Sequence, residues 1–364
     1  MLEELKQIYN GKKIFVTGHT GFKGSWLIKV LSILGAETMG YALKPENEDD
    51  LYNIIKGDTL CTSVIGDLRN RDLLIDRINQ FQPDFVFHLA AQPLVRLSYE
   101  IPSETFEVNA IGTANVLDGV RLIRKPCHVV LITTDKVYYN YEWVYPYRES
   151  DRLGGYDPYS ASKACAELII DSYRNSFFNL NSLSEHGKAI AVARAGNVIG
   201  GGDWSKDRLL PDIARALGSQ AAIIIRNPNS IRPWQHVLEP VIGYLLLGRK
   251  LEEAPRSFAQ AYNFGPHRSD ALMVKDMAAI AIEEWGWGEY KVVSNADQPH
   301  EAGLLSLDIS KAECEIGWKP GLNAREAIAM TIGWYKTFFE KRDFITKVTE
   351  DQIMSFFMKI SGRK

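Results

Sequence analysis

The stretch Lys13-Ile-Phe-Val-Thr17-Gly18-His-Thr-Gly21-Phe-Lys-Gly24-Ser-Trp-Leu-Ile-Lys-Val-Leu31 decides the fold. Its first five residues read as a buried strand, closed by a glycine, and a helical apolar run opens at Ser25. Strand, G-x-x-G-x-x-G turn and helix in that order make a phosphate cradle. Glycines let the backbone approach a pyrophosphate, and the helix N-terminus offers free N–H groups and a positive dipole end. Gly18, Thr20, Gly21, Phe22 and Gly24 are therefore the expected contacts of a dinucleotide.

Working outward, the β-rich form recurs at Glu37 to Leu43, Thr62 to Ile65, Phe85 to Ala90, His128 to Thr133 and Ala189 to Arg194. Helical segments lie between, at Arg71 to Phe81, Glu104 to Arg124 and Ser160 to Phe178. Short runs apolar on both faces, alternating with helices, predict an α/β protein with a doubly wound (Rossmann) parallel sheet. After Gly200 the glycines and prolines crowd together, and helical patterns resume at Leu210 to Gly218, Val274 to Gly286 and Ala324 to Arg342. A dinucleotide-binding domain over 1–199 and a smaller mixed lobe over 200–364 are expected, with a soft boundary that the chain can recross.

Composition narrows the partners. Lys plus Arg number 42 and Asp plus Glu 45, a net charge of −3 in 364 residues. This balance gives no reason to expect nucleic acid or an anionic membrane. No apolar run reaches the roughly 18 residues of a membrane span. The first eleven residues lack the apolar core of a signal peptide, so a cytoplasmic protein is expected. The four cysteines are far apart and form no C-x-x-C pair, which argues against a disulfide framework or a zinc site. No metal site is expected.

The second strand ends Ala42-Leu43-Lys44-Pro45, without the acidic residue that usually binds the adenosine ribose. NAD is the expected cofactor, but Lys44 leaves NADP open. Asp67-Leu68 is a candidate for the adenine edge, the alternative being a helix N-cap for Arg69 to Phe81.

Tyr159-Ser-Ala-Ser-Lys163 puts a phenol and an ammonium on one face of a helix start. A nearby ammonium favours phenolate, so Tyr159 is a candidate proton acceptor. Thr134-Asp135-Lys136 lies at the C-terminal end of a strand, the edge where open α/β sheets bind ligands.

Together the glycine turn, His88-Leu-Ala-Ala-Gln92 and the Thr-Tyr-Lys set resemble the extended short-chain dehydrogenase/reductases, which include nucleotide-sugar epimerases and dehydratases. The likeness runs from Lys12 to about Lys336. It extends through Ala91 to Tyr99, Gly154-Gly-Tyr-Asp-Pro-Tyr159, Arg194-Ala-Gly-Asn-Val-Ile-Gly-Gly-Gly-Asp-Trp204, Ile225-Arg-Asn-Pro228 and Arg232-Pro-Trp-Gln-His-Val-Leu-Glu-Pro240. These stretches are similar to the CDP-glucose branch of the dehydratases.

The resemblance implies three stages in one site: C4 oxidation, loss of water across C5 and C6, and hydride return to C6. The alternative is another nucleotide-sugar dehydratase or epimerase on the same scaffold. Tyr159 would take the C4 proton, Thr134 would bind the C4 oxygen, and Lys163 would hold the nicotinamide ribose and favour the Tyr159 phenolate. Asp135 would protonate the departing hydroxyl, which requires its acid form. Lys136 stands where most such dehydratases carry Glu. As a base it must fall well below the usual value of about 10.4; as an ammonium it would stabilise an enolate. Leu89, Ala90 and Ala91 join the expected cofactor contacts. Gln92, Arg96, Ser98, Asn109, Asn197, Arg208, Arg232, His236, Asn263 and His300 are the expected substrate contacts. Trp204 and Trp234 read first as core. A homodimer through the Glu104 to Arg124 and Ser160 to Phe178 helices is the family's habit.

Overall fold

Seven parallel strands form the central sheet of the computed structural model, which describes residues 1–206, 208–293 and 305–362. They are β1 (Lys13–Thr17), β2 (Glu37–Ala42), β3 (Thr62–Ile65), β4 (Phe85–His88), β5 (Cys127–Thr134), β6 (Lys188–Ala195) and β7 (Ala261–Phe264). In space the order is β7-β6-β5-β4-β1-β2-β3, with every neighbouring pair parallel. The direction of winding reverses between β1 and β4, which opens a crevice at the carboxyl ends of both strands.

The expectation of strands apolar on both faces holds. Phe85, Val86 and Phe87 of β4 are fully buried, although consecutive side chains point to opposite faces. One core contains Phe85, Phe87 and Trp26; the other contains Phe15, Val86, Val116 and Leu117. The helices that matter for the site are α1 (Phe22–Ile33), α2 (Arg71–Phe81), α3 (Gly112–Arg121), α4 (Pro158–Ser176), α5 (Leu238–Glu253) and α6 (Ala324–Glu340).

The chain recrosses position 200, as the soft boundary allows: α5, buried from Val241 to Leu247, packs on β5 and β6, and β7 extends the sheet beyond β6. One expectation is corrected: the expected Glu104 to Arg124 helix is interrupted. It is Pro102–Phe106, then a wide π-type turn over Glu107–Ile111, then α3. The wide turn swings Asn109 inward, where its side chain bonds the Gln92 backbone and Ser162.

The second lobe is mixed, as expected. Beside the helices Leu209–Gly218, Val274–Trp285 and α6, it carries a parallel pair (Ile223–Ile225 with Tyr290–Val292) and an antiparallel one (Ile231–Pro233 with Ala271–Met273). No helix among the described residues is long and apolar enough to cross a membrane.

Candidate active site

The glycine turn sits in the crevice, and two of its glycines are obligatory. Gly18 has φ +76°, and a Cβ there would lie 2.7 Å from the Ala90 nitrogen. A Cβ on Gly24 would lie 2.0 Å from the Gly18 oxygen. Gly21 is the N-cap of α1 with no side chain capping the first turn, which leaves those N–H groups directed at a ligand. Phe22 is half-buried beside it. Thr17 draws the β4 loop against the turn: its Oγ1 accepts from Ala90 N and pairs with His88 Nδ1, and its carbonyl accepts from Leu89 N. Ala91 follows at the rim. This close-fitted cradle suits a dinucleotide pyrophosphate.

Other expected cofactor contacts are engaged within the protein. Thr20 donates to the Leu43 carbonyl. Leu68 is buried against Gly112. Asp67 holds Arg69 through side-chain and backbone bonds, while the cap of α2 is Asn70. The proposed Asp67 cap is therefore displaced by three residues.

Two residues of the turn escaped the sequence reading. His19 tucks under it, Nε2 2.8 Å from Ser63 Oγ, its ring so close to Gly40 that a Cβ there would approach within 2.2 Å. Burial pushes the imidazole down to about 4, so it is neutral. The signal was Gly40, an isolated glycine inside a strand. Lys23 directs its ammonium into the catalytic cleft. Burial, with Arg208, Lys163 and Lys136 nearby, lowers it to about 7 against the pull of Asp135. The signal was one lysine in the otherwise apolar opening of α1.

The catalytic set converges at the end of β5. Thr134 closes that strand, and Asp135 and Lys136 form the turn after it. Asp157 caps α4, presenting Tyr159 and Lys163 on its buried face. The Thr134 hydroxyl donates to Asp135 Oδ1 (2.9 Å), and it sits close enough to the Tyr159 phenol to favour its phenolate. Lys136 Nζ lies 3.5 Å from Asp135 Oδ1 and 3.5 Å from Asn197 Oδ1. Burial raises the Tyr159 phenol above its usual value, opposed by Lys136, Thr134 and Arg208. Lys163 donates to the Ile132 carbonyl (3.1 Å) and is pushed down to about 8 by burial, with Glu167 opposing. The expected coupling is thus rerouted: in the free chain Lys136 and Arg208 favour the phenolate, while Lys163 faces the strand.

Of the expected substrate residues, Asn197 and Arg208 reach this centre. Arg208 pairs with buried Asp203 at 2.9 Å, which aims a guanidinium from the second lobe at Tyr159. Arg96 is half-buried on the short helix Val95–Glu100. Arg232 lies on the Ile231–Pro233 strand, and His300 lies outside the described residues.

Four others have their hydrogen-bonding groups turned into the protein. Gln92 bonds Leu94 and Thr105, and Asn109 bonds Gln92 and Ser162. Ser98 accepts from the Tyr159 backbone, and Asn263 bonds Tyr138, Tyr147 and Asp308. His236 is fully buried against Trp26, lowered to about 3 and neutral, so it is no phosphate-binding cation. Trp204 packs among Tyr335 and Phe338, as core. Among the described residues no group of three His, Cys, Asp or Glu is placed to hold a metal.

A doubly wound sheet with a dinucleotide cradle beside a Thr-Tyr-Lys centre defines an oxidoreductase-type site that carries an additional acid and lysine for further chemistry. The pattern of the GDP-mannose 4,6 dehydratase family matches residues 15–331, and the chain belongs to that family. It is 46% identical over 340 residues to the CDP-glucose 4,6-dehydratase of Salmonella typhimurium, covering 93% of this chain and 95% of that protein. It is 24% identical to the dTDP-glucose 4,6-dehydratase of Xanthomonas campestris, over 88% of this chain and 92% of the other. Among solved structures, an epimerase of Methanothermobacter thermautotrophicus superposes with a TM-score of 0.79 at 24% identity, covering 94% and 97% of the two chains. The dTDP-glucose 4,6-dehydratase of Streptomyces venezuelae, solved with NAD bound, gives 0.75 at 23% identity, covering 92% and 99%.

Proposed function

We propose that this chain is an NAD-dependent CDP-glucose 4,6-dehydratase, converting CDP-glucose to CDP-4-keto-6-deoxyglucose and water. The observation that carries the reading is the convergence of Tyr159, Asp135 and Lys136 at the end of β5, with the Thr134 hydroxyl donating to the acid and the Lys136 ammonium 3.5 Å from it. Oxidation at C4 alone needs only the phenol and its partners; an acid and a lysine in the same pocket serve elimination.

Gly18, Gly21, Phe22, Gly24, Leu89, Ala90, Ala91 and Lys163 hold the dinucleotide, which when bound accepts the C4 hydride and gives it back at C6. Tyr159 removes the C4 hydroxyl proton, and Thr134 keeps the oxygen against the phenol. The resulting ketone acidifies C5–H. Asp135 protonates the C6 hydroxyl as it leaves, which makes water the leaving group. Lys136, reaching toward Asn197, takes the C5 proton or stands as a cation beside the enolate. Arg208 supplies a guanidinium for the diphosphate. NAD rather than NADP is the proposed cofactor, in keeping with the NAD-bound Streptomyces structure, and titration with each dinucleotide tests it. Ile111, Leu122, Leu168 and Phe177 are exposed around α3 and α4, as a homodimer through those helices requires, and sedimentation tests the dimer.

Incubation with CDP-glucose in deuterated water, without added reductant, tests the activity. A CDP-4-keto-6-deoxy sugar carrying deuterium at C5 is the expected product. Conversion of another nucleotide sugar instead would discard the CDP-glucose assignment, and a C4-epimerised sugar would discard the dehydratase.

A further inference from the structure

The turn that carries Asp135 and Lys136 is weakly held by its own backbone. The ladder of β5 to β6 ends at Thr134, opposite Ala195. Inside the turn, Lys136 N lies 3.4 Å from Thr134 Oγ1 and Tyr138 N lies 3.5 Å from the Asp135 carbonyl, both long for hydrogen bonds. Beyond it, the Val137 carbonyl accepts from Gly154 N and the Arg152 carbonyl accepts from Tyr139 N. Those bonds tie the turn to another loop, the one leading into α4, and leave its placement against the sheet to side chains.

Tyr138 supplies that placement. It follows the turn directly, is 1% exposed, and stacks on Tyr147 with ring centroids 5.3 Å apart. Its hydroxyl reaches two strands. It accepts from Arg194 Nη1 of β6 at 2.8 Å and donates to Asn263 Oδ1 of β7 at 2.7 Å. The direction of these bonds is fixed. Asn263 Nδ2 is spent on the Tyr147 and Asp308 carbonyls, and a guanidinium can only donate, so the phenol proton belongs to the Asn263 oxygen.

Arg194 also holds the other catalytic segment. Its fork grips Glu167, one turn beyond Lys163 on α4, and Thr133, next to Thr134, donates to the same carboxylate. One guanidinium therefore registers α4, with Tyr159 and Lys163, through Glu167, and the turn, with Asp135 and Lys136, through Tyr138. Loss of the Tyr138 hydroxyl cuts the second tie and leaves the first. We propose that Tyr138 is a positioning residue of the dehydration step, its hydroxyl anchoring the turn to Arg194 and Asn263 so that Asp135 and Lys136 stay aligned on C6 and C5. Oxidation at C4 draws on Thr134, Tyr159 and Lys163, which keep their own supports. Elimination draws on the turn.

The inference rests on the dehydratase reading, and the test separates the two. Tyr138→Phe keeps the ring and its stacking on Tyr147 and loses the hydroxyl. Tyr9→Phe is the control. It removes a buried phenol bond of the same kind, to the Leu245 carbonyl at 2.6 Å, beside Phe85 at the amino ends of the strands and opposite the cleft. In single turnovers with NAD and CDP-glucose, the near-ultraviolet absorbance of reduced nicotinamide rises with C4 oxidation and decays as the cycle completes. Quenched samples report CDP-4-keto-glucose by mass. In Tyr138→Phe the rise is expected to be unchanged and the decay about 10–100-fold slower, the effect of a misplaced reacting group, with CDP-4-keto-glucose accumulating. Tyr9→Phe is expected to melt at a lower temperature with rise and decay at the parent's rates. A Tyr138→Phe decay equal to the parent's would overturn the proposal. So would rise and decay slowed alike, or a decay slowed equally in Tyr9→Phe, each the mark of a general loosening. A parent enzyme that gives no reduced nicotinamide with CDP-glucose would instead overturn the reading of the reaction.

Discussion

Lys136 Nζ stands 3.5 Å from Asp135 Oδ1, so the acid of the elimination and the neighbouring lysine are an ion pair before substrate arrives. Replacing Asp135 by Asn keeps the shape of the turn but removes the proton donor. Cofactor binding and C4 oxidation should persist, while product formation drops about 10²–10⁴-fold, the usual contribution of a positioned acid. Product analysis by mass spectrometry checks this, and normal turnover would assign the acid elsewhere.

The two roles of Lys136 predict different exchange behaviour. If Lys136 is the C5 base, Lys136→Met should abolish deuterium incorporation at C5 as well as elimination. If it is the cation beside the enolate, Lys136→Arg should retain much of the exchange, since it keeps charge and cannot act as a base. Proton NMR of the sugar in deuterated water decides between them.

Activity should fall as pH rises through about 8. The folded value of Lys163 is depressed to about that point, so its ammonium is present below it and lost above. Glu167 opposes the depression, so Glu167→Gln should move this alkaline limb to lower pH. Lys23, near 7, is the other lysine of the cleft that changes charge in this range, and Lys23→Met serves as its control. The pH dependence of kcat is the measurement.

The glycines of the cradle should not be equal. Gly24→Ala forces a Cβ against the Gly18 backbone and is expected to cost about 1–3 kcal/mol and most of the dinucleotide affinity. Gly21→Ala meets only the Gly18 oxygen at an ordinary 3.5 Å and should fold normally. Thermal melting and NAD titration of both variants test the contrast.

Arg194 and Glu167 form a buried fork, Nε to Oε1 at 2.8 Å and Nη2 to Oε2 at 2.6 Å, which also ties in Thr133 and Tyr138. Arg194→Met strands a buried carboxylate and should cost about 3–5 kcal/mol, whereas the double change with Glu167→Met should recover much of it. Denaturant unfolding of the three proteins measures the difference.

Much of the site was legible because it is local. Strand, turn and helix from Lys13 to Leu31 are set by spacing and by glycine chemistry. Tyr159 and Lys163 share a helix face because they are four residues apart, and Thr134 to Lys136 are contiguous. What the sequence could not display was which distant groups meet them. Asn197 reaches the catalytic turn because β6 lies beside β5, and Arg208 because the chain leaving β6 folds its first second-lobe segment over that edge of the sheet. Whether a polar side chain is free or spent is likewise a tertiary matter. Gln92, Asn109 and Asn263 have the chemistry of ligand contacts, but each is consumed by partners from elsewhere in the chain, because a buried amide left unbonded is costly. The sequence by itself determined the fold class, the cradle and the reacting groups. The tertiary structure decided the charges around Tyr159 and Asp135, since burial and through-space fields depend on residues tens to hundreds of positions apart.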